Sequence, residues 1–390
     1  MATSARGARR LRVALVTSSY NFISDGVALT LNRLVGYLEA QGVEVLVFAP
    51  VAKEPAFAHN GAIVPAPSVA LPFRPEYRLA LGLDGASRRR LAVFDPDIIH
   101  IAVPDFLGHQ ALGLGLARGR PVVASYHTRY ESYLKDYGLD FLREGLAGRL
   151  RKFYAACHEV YVPSASMAES LMNEGFAGNL ELWVRGVDSR RFHPAKRAGL
   201  FRARRGIGPD ELVVAFVGRL VREKRLDVVA EVLERLAAAG VAHRGLIVGE
   251  GPDRRALEKR LPASLFTGFL GGDDLAQAYA ASDIFLFPSD TESFGNVTLE
   301  AMASGLPTVC ADATGSRSLV VQGVTGFLAP PGRSEGFFGH VAALAADGPL
   351  RARMGAAARR RSLGFSWDET MAGLLARYEA LVAGPRLAAA

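Results

Sequence analysis

FHPAKRAGLFRARRGIGPDELVVAFVG, residues 192–218, is the stretch on which the fold turns. Its first twenty residues are polar and basic and carry Pro and Gly, the composition of a linker. LVVAFVG (212–218) is then a β-branched apolar run of strand length, and from it an alternation of apolar runs with amphipathic stretches begins for a second time. The first round starts with RVALVTS (12–18) as a strand, VALTLNRLVGYLEAQG (27–42) as a helix with Val27, Leu31, Leu34 and Leu38 on one face, and VEVLVFAP (43–50) as the next strand. That is a complete βαβ unit, and further strands are expected at 97–104, 121–127, 159–164 and 180–186. In the second round a helix at 224–240, strands at 245–251 and 265–269, a helix at 273–283, a strand at 284–289, a helix at 297–305 and a strand at 307–313 follow.

The reading is an α/β chain of two doubly wound, Rossmann-like domains facing a central cleft, where the ligands of open parallel sheets bind. The expected boundaries are residues 1–195 for the first domain and 196–364 for the second, with a helix over 365–390. The length of 390 residues supports two domains, because single cores stop growing near this size. Cys157 and Cys310 are distant in sequence and outside any metal-ligand spacing, so a disulfide scaffold and a zinc site are both set aside and a reducing cytoplasm is expected. No segment reaches the roughly 20 apolar residues of a membrane span. The net charge of +7, shared between the two halves, suggests an anionic partner such as a nucleoside diphosphate or an acidic lipid surface. Nucleic acid is disfavoured, since no helix-turn-helix, RNA-recognition motif or zinc finger is present.

Four loops carry candidate chemistry. After the first strand, TSSYNFISDGVALT brings Gly26 to a helix start whose amides suit a phosphate, although taken alone these residues more often make a plain βα turn. VGEGP places Gly249 and Gly251 after a strand without the third glycine of a dinucleotide fingerprint, which disfavours a dehydrogenase. In GRLVREKRLD, Arg219 follows a strand and Lys224 opens a helix, so a diphosphate between them would relieve their repulsion; a solvated helix start with Glu223 as partner is the alternative. TESFGNVTLEAM follows the strand IFLFPS. Asn296 is expected as helix N-cap, with the amides of Asn296, Val297 and Thr298 forming an anion site after Gly295. Glu300, read as lying in the first helical turn, has two oxygens for the hydroxyls of a ribose, and Glu292 is placed to receive those of a sugar. Against this, a first-turn acid also complements the helix dipole and a loop glutamate is often a solvated charge. His127 ends the strand PVVASYH, where it either contacts substrate or is a satisfied polar residue.

These motifs, with WVRGVDSRRFHP, YHTRY and FTGFL, resemble the retaining glycosyltransferases of the GT-B fold commonly called family four. The resemblance implies that Arg219 and Lys224 bind the donor diphosphate with help from the Gly26 loop and the amides after Gly295. It further implies Glu300 on the ribose, Glu292 on the transferred sugar, His127 as a sugar-contacting histidine, Gly249 and Gly251 along the nucleotide, and a C-terminal helix over 365–390 that returns to the first domain. Asp25 stands where the family usually has the first glycine of a pair. The catalytic set so implied is His127, Arg219, Lys224 and Glu292. Retention of configuration is expected, with no cofactor beyond the nucleotide sugar and no metal, Arg and Lys taking the cation's role. The wording of the motifs is similar to lipid mannosyltransferases and sulfoquinovosyltransferases. That implies GDP-mannose or a UDP-hexose as donor, a lipid or lipid-linked glycan as acceptor, and a cytoplasmic enzyme resting on an anionic membrane surface through the basic, partly apolar stretches 70–83, Arg88 to Arg90 and 141–154. A sugar-nucleotide epimerase, a phosphorylase on the same fold and a non-catalytic nucleotide-binding protein are the competing readings.

Overall fold

The computed structural model describes residues 10–23, 25–71, 74–127, 129, 140–197 and 199–384. The chain forms two compact units. One comprises residues up to Pro163, Leu171–Trp183 and the chain from Asp368 on; the other comprises Ser164–Ser170 and Val184–Trp367.

In the first unit β1 (Arg12–Val16), β2 (Glu44–Ala49), β3 (Ala62–Pro65), β6 (Ile98–Ile101), β7 (Val122–Ser125), β8 (Glu159–Val162) and β9 (Leu180–Leu182) make a parallel sheet in the order β3-β2-β1-β6-β7-β8-β9. A separate antiparallel hairpin joins β4 (Ser68–Leu71) to β5 (Arg74–Ala80). Apart from Arg12 at the start of β1, the strands β1, β6, β7 and β8 are buried along their length, as mainly apolar runs in a sheet covered on both faces must be, with His100 and Glu159 among the buried polar members. The helix Trp367–Ala383 buries Met371, Leu374 and Tyr378, and from Asp368 on it belongs to this unit.

The second unit repeats the architecture with β10 (Val213–Val217), β11 (Arg244–Val248), β12 (Leu265–Gly268), β13 (Ile284–Phe287), β14 (Thr308–Ala311) and β15 (Gly326–Ala329), all parallel, in the order β12-β11-β10-β13-β14-β15. Its core runs through Phe216, Phe285, Phe287, Leu299 and Met302, and it takes in Val187 and Phe192, which the sequence reading had assigned to the first domain. The physical reason is that Val187 lies just before the polar stretch and Phe192 opens it, and both apolar side chains pack into the core of the sheet that follows.

Candidate active site

In each sheet the strand order reverses direction at one place, between β1 and β6 and between β10 and β13. At such a switch point two loops diverge from neighbouring strand ends and leave a crevice. Arg219 leaves β10 at one side of the second crevice, and the loop Ser289 to Gly295 leaves β13 at the other.

Lys224 and Glu292 meet there. The ammonium of Lys224 forms a close, largely buried ion pair with Glu292 Oε1, and Ser289 Oγ lies 3.5 Å from the same oxygen. Ser289 Oγ also donates to the Glu223 carbonyl at 3.4 Å, tying the two loops together. The Glu292 carbonyl accepts from Gly315 N at 2.9 Å and Thr314 Oγ1 at 3.0 Å, so its backbone is pinned by the start of the helix Thr314–Leu319. Arg219 is about half exposed and pairs with Glu223 at 3.4 Å. Lys224 does not open the long helix as expected. It ends the 3-10 turn Arg222–Lys224; Arg225 then adopts a left-handed conformation (φ 55°), and the α-helix begins at Leu226. Such a conformation is strained for a side chain with a Cβ, and here ion pairs of Arg225 with Asp227 (3.5 Å) and Asp290 (3.8 Å) hold it.

Gly249 and Gly251 shape this edge by close approach. A Cβ on Gly249 would lie 1.9 Å from the Gly218 carbonyl oxygen, and one on Gly251 would lie 2.2 Å from that of Leu220. The β11 loop therefore runs backbone to backbone against the segment that carries Arg219, and Leu220 N donates to Glu250 O at 2.8 Å.

The N-cap of the helix Asn296–Ala303 is Gly295, with φ 99°, rather than Asn296, which is already helical. Glycine takes the cap because the chain must turn through a left-handed conformation there. The first intrahelical bond is Leu299 N to Gly295 O, which leaves the amides of Asn296, Val297 and Thr298 outside the helical ladder. Glu300 consequently stands one residue beyond the first turn. It is half-buried, accepts from the Tyr279 hydroxyl at 3.0 Å, and burial pushes its pKa up to about 7, against the opposing pull of the Tyr279 hydrogen bond and the positive charge of Arg191.

In the first unit, Asp25 caps the helix Gly26–Ala40 by accepting from Ala28 N at 2.8 Å, and Ser19 Oγ donates to its other oxygen at 3.2 Å. The residue that departs from the family pattern is thus a helix cap. Across the β1/β6 switch point, Ser18 donates to Asp105, which caps the helix Phe106–Leu116 and whose pKa is raised by burial. His127 follows β7 and is buried, its ring centroid 5.8 Å from that of Trp183. Thr128 and residues 130–138 of the YHTRYESYLKDYG stretch lie outside the described residues.

Residues 199–361 match the family model of glycosyl transferases group 1, and residues 24–191 match that of glycosyltransferase family 4. A GDP-mannose-dependent alpha-mannosyltransferase of Mycobacterium tuberculosis is 36% identical over 379 residues, 95% of this chain and 97% of the relative. The chain belongs to glycosyltransferase family 4. A sulfoquinovosyl transferase of Arabidopsis thaliana is 34% identical over 368 residues, 92% of this chain and 71% of the relative. Among solved structures, a sucrose-phosphate synthase from Thermosynechococcus elongatus superposes with a TM-score of 0.81 at 21% identity, over 96% of this chain and all of that one, and confirms the fold.

In this family-4 glycosyltransferase the second unit brings Lys224 and Glu292 into contact and sets Arg219, Gly249, Gly251, Gly295 and Glu300 on strand-end loops and a helix of the same sheet edge. His127 and Gly26 occupy the corresponding edge of the first unit. Sequence reasoning missed Tyr279, Arg191, Ser289 and Asp105. Arg191 lay within a motif already singled out, whereas Tyr279 is one apolar-face residue of an ordinary amphipathic helix, and nothing in the sequence marks its hydroxyl.

Proposed function

We propose that this glycosyltransferase moves a hexose from a nucleotide sugar, GDP-mannose before a UDP-hexose, to a hydroxyl of a lipid or lipid-linked glycan, with retention of configuration and without a metal ion. The observation that carries the reading is the Lys224–Glu292 ion pair at the β10/β13 switch point, beside Arg219 and the open amides of the Asn296 helix. A departing nucleoside diphosphate gathers negative charge on its β-phosphate, and fixed cations and amides stabilise that charge more in the transition state than in the ground state. Arriving donor would exchange partners: Lys224 and Arg219 take the pyrophosphate, Glu292 accepts sugar hydroxyls and Glu300 accepts those of the ribose. In a retaining transfer from the leaving-group face, the phosphate oxygen receives the proton of the acceptor hydroxyl as the new glycosidic bond forms and the old one breaks. The sugar-contacting role of His127 and the phosphate-binding role of the Gly26 loop belong to the same reading.

The names of the mannosyltransferase and the sulfoquinovosyl transferase support a hexosyl donor, GDP-mannose in the first case. Among the described residues no helix is long and apolar enough to cross a membrane. A peripheral position on an anionic cytoplasmic surface is supported by exposed Phe141 and Leu142 at the head of the basic helix Arg143–Ala155. Side chains 71–77 of the other stretch lie outside the described set.

The deciding experiment incubates the protein with radiolabelled GDP-mannose and UDP-glucose, with and without membrane lipid extract and with EDTA. Nucleoside diphosphate released only with lipid and unaffected by EDTA, with an α-linked product by NMR, is the expected outcome. Interconversion of the donor sugar without acceptor would favour an epimerase. Sedimentation with anionic liposomes tests the surface, and an equal soluble fraction with and without them would remove it.

A further inference from the structure

The motif WVRGVDSRRFHP is left unexplained by the reaction, and its packing leads to Glu300. Asp188 closes a turn by accepting from Arg190 N at 3.2 Å and Arg191 N at 3.0 Å. Arg359, on the helix Gly348–Ser362, straps this turn to the helix that carries Glu300: it donates to Ser189 O at 2.9 Å, Phe192 O at 2.8 Å and Ala303 O at 2.6 Å. Phe192 then sets its ring edge-on to Tyr279, centroids 5.8 Å apart at 79°, while Phe285 of β13 flanks the same ring at 5.9 Å. Tyr279 is fully buried in the helix Gly272–Ala280 and its hydroxyl reaches Glu300 Oε2 at 3.0 Å.

We propose that Tyr279 is a positioning residue for donor binding, holding Glu300 by Oε2 so that Oε1 is the oxygen presented to the ribose, with the 188–192 turn and Arg359 locking the tyrosine ring in place. The inference rests on the reading of Glu300 as the ribose carboxylate. A hydroxyl that can only donate to a carboxylate favours its charged form, and burial opposes that form; Tyr279 itself stays protonated because its own burial raises its pKa well above 10. The other groups around Glu300 are few. Arg191 supplies positive charge from the turn and is itself beside Asp188 at 3.9 Å. Arg359 is directed to carbonyls one turn on, and Arg317, of the helix Thr314–Leu319, is engaged with Asp312 at 2.5 Å. β13 presents Phe285 and Phe287, and β14 presents Cys310, whose thiol burial pushes up to about 12 and which is neutral at working pH.

Tyr279→Phe keeps the ring and removes the hydroxyl. In glutamate-labelled protein without donor, the Glu300 carboxyl carbon, assigned with Glu300→Gln, is followed by carbon-13 NMR. Its titration near pH 7 is expected to move up by about one unit in Tyr279→Phe. With GDP-mannose as probe, whose pyrophosphate diester does not titrate in this range, KM is expected to rise about threefold to tenfold at pH 7 and to return toward wild type at higher pH, with kcat at saturating donor unchanged. A titration that does not move, or a loss of the same size at every pH, overturns the proposal, because a purely structural role would act at all pH values alike. Phe192→Leu, which keeps the hydroxyl but loosens the ring, should give the same upward shift with smaller amplitude. If Glu300→Gln weakens GDP-mannose while Tyr279→Phe shifts nothing, the tyrosine role is wrong and the ribose role stands. If Glu300→Gln binds GDP-mannose as wild type does, the ribose role falls and takes this one with it.

Discussion

Glu300 is a carboxylate kept where the protein does not stabilise it well. Burial raises its pKa to about 7 from the 4.5 of the unfolded chain. A carboxyl that is harder to ionise in the folded state contributes most below its unfolded value, and that contribution is lost as the pH rises through 7. Glu300→Gln should therefore raise the melting temperature at pH 8 and change it little at pH 4.5, the gain at pH 8 being about 1–3 kcal/mol. Calorimetry at the two pH values checks this, and an equal shift at both would mean that ionisation is not the cause. A residue that costs stability when charged, set at a strand-end crevice, is the pattern of a binding group. Lys224 makes a second prediction at this scale. Lys224→Ala removes the cation expected on the leaving group, and turnover at saturating donor should fall by about a hundredfold to a thousandfold. If steady-state kinetics show a raised KM with kcat intact, the leaving-group role is wrong. The acids at 292 and 300 were legible as residues because they flank a turn between a strand and a helix. The partners of Glu300 were not, because a tyrosine from a separate helix and a turn about 110 residues earlier meet it only after folding.

At the scale of elements, the apolar runs located the central strands of both sheets, but each strand is a few residues shorter than its run. The excess residues, such as Gly249 after β11 and Pro288 after β13, are strand-end positions where the backbone leaves the ladder. Two helix starts were misread for the same reason. Arg225 and Gly295 both take left-handed backbone, and neither the ion pairs that hold the one nor the loop path that demands the other is visible in sequence. The close approach of the β10 and β11 loops gives a prediction here. Gly249→Ala puts a methyl 1.9 Å from the Gly218 carbonyl oxygen at a φ of 138°, so the Arg219 segment must move. The expected cost is about 2–4 kcal/mol of stability, together with weaker nucleotide binding. Thermal denaturation and titration with GDP measure the two, and a variant as stable as wild type would show that the β10 loop yields without cost. Asp25→Ala, by contrast, removes a helix cap together with the acceptor of the Ser19 hydroxyl and should cost about 1 kcal/mol by denaturant titration.

On the scale of the whole molecule, the chain returns to its first unit at the end. From Asp368 the last helix completes the first core with Met371, Leu374 and Tyr378, all buried. Tyr378 bonds closely to His100 Nδ1, while His100 Nε2 meets Ser125. Arg377 grips the buried Glu159 at 2.9 and 2.7 Å and reaches Glu181 at 2.5 Å. Two rounds of alternation and a restart made the pair of Rossmann-like units legible; the return of this closing helix was implied only by the family resemblance, because its residues read as one more amphipathic segment and the side chains it meets lie far off in sequence. Removing residues 368–390 takes three buried side chains, worth about 1.5–3 kcal/mol each, from the first unit and leaves Glu159 without its guanidinium. The second unit, whose core contains none of them, keeps its own contacts. Calorimetry of the shortened chain should accordingly show two transitions, the first unit melting well below the second and the second near its position in the full protein. Arg377→Ala, which spares the apolar contacts, should shift the same transition by a smaller amount. A single transition displaced as a whole would mean that the two units do not unfold separately and that the closing helix stabilises both.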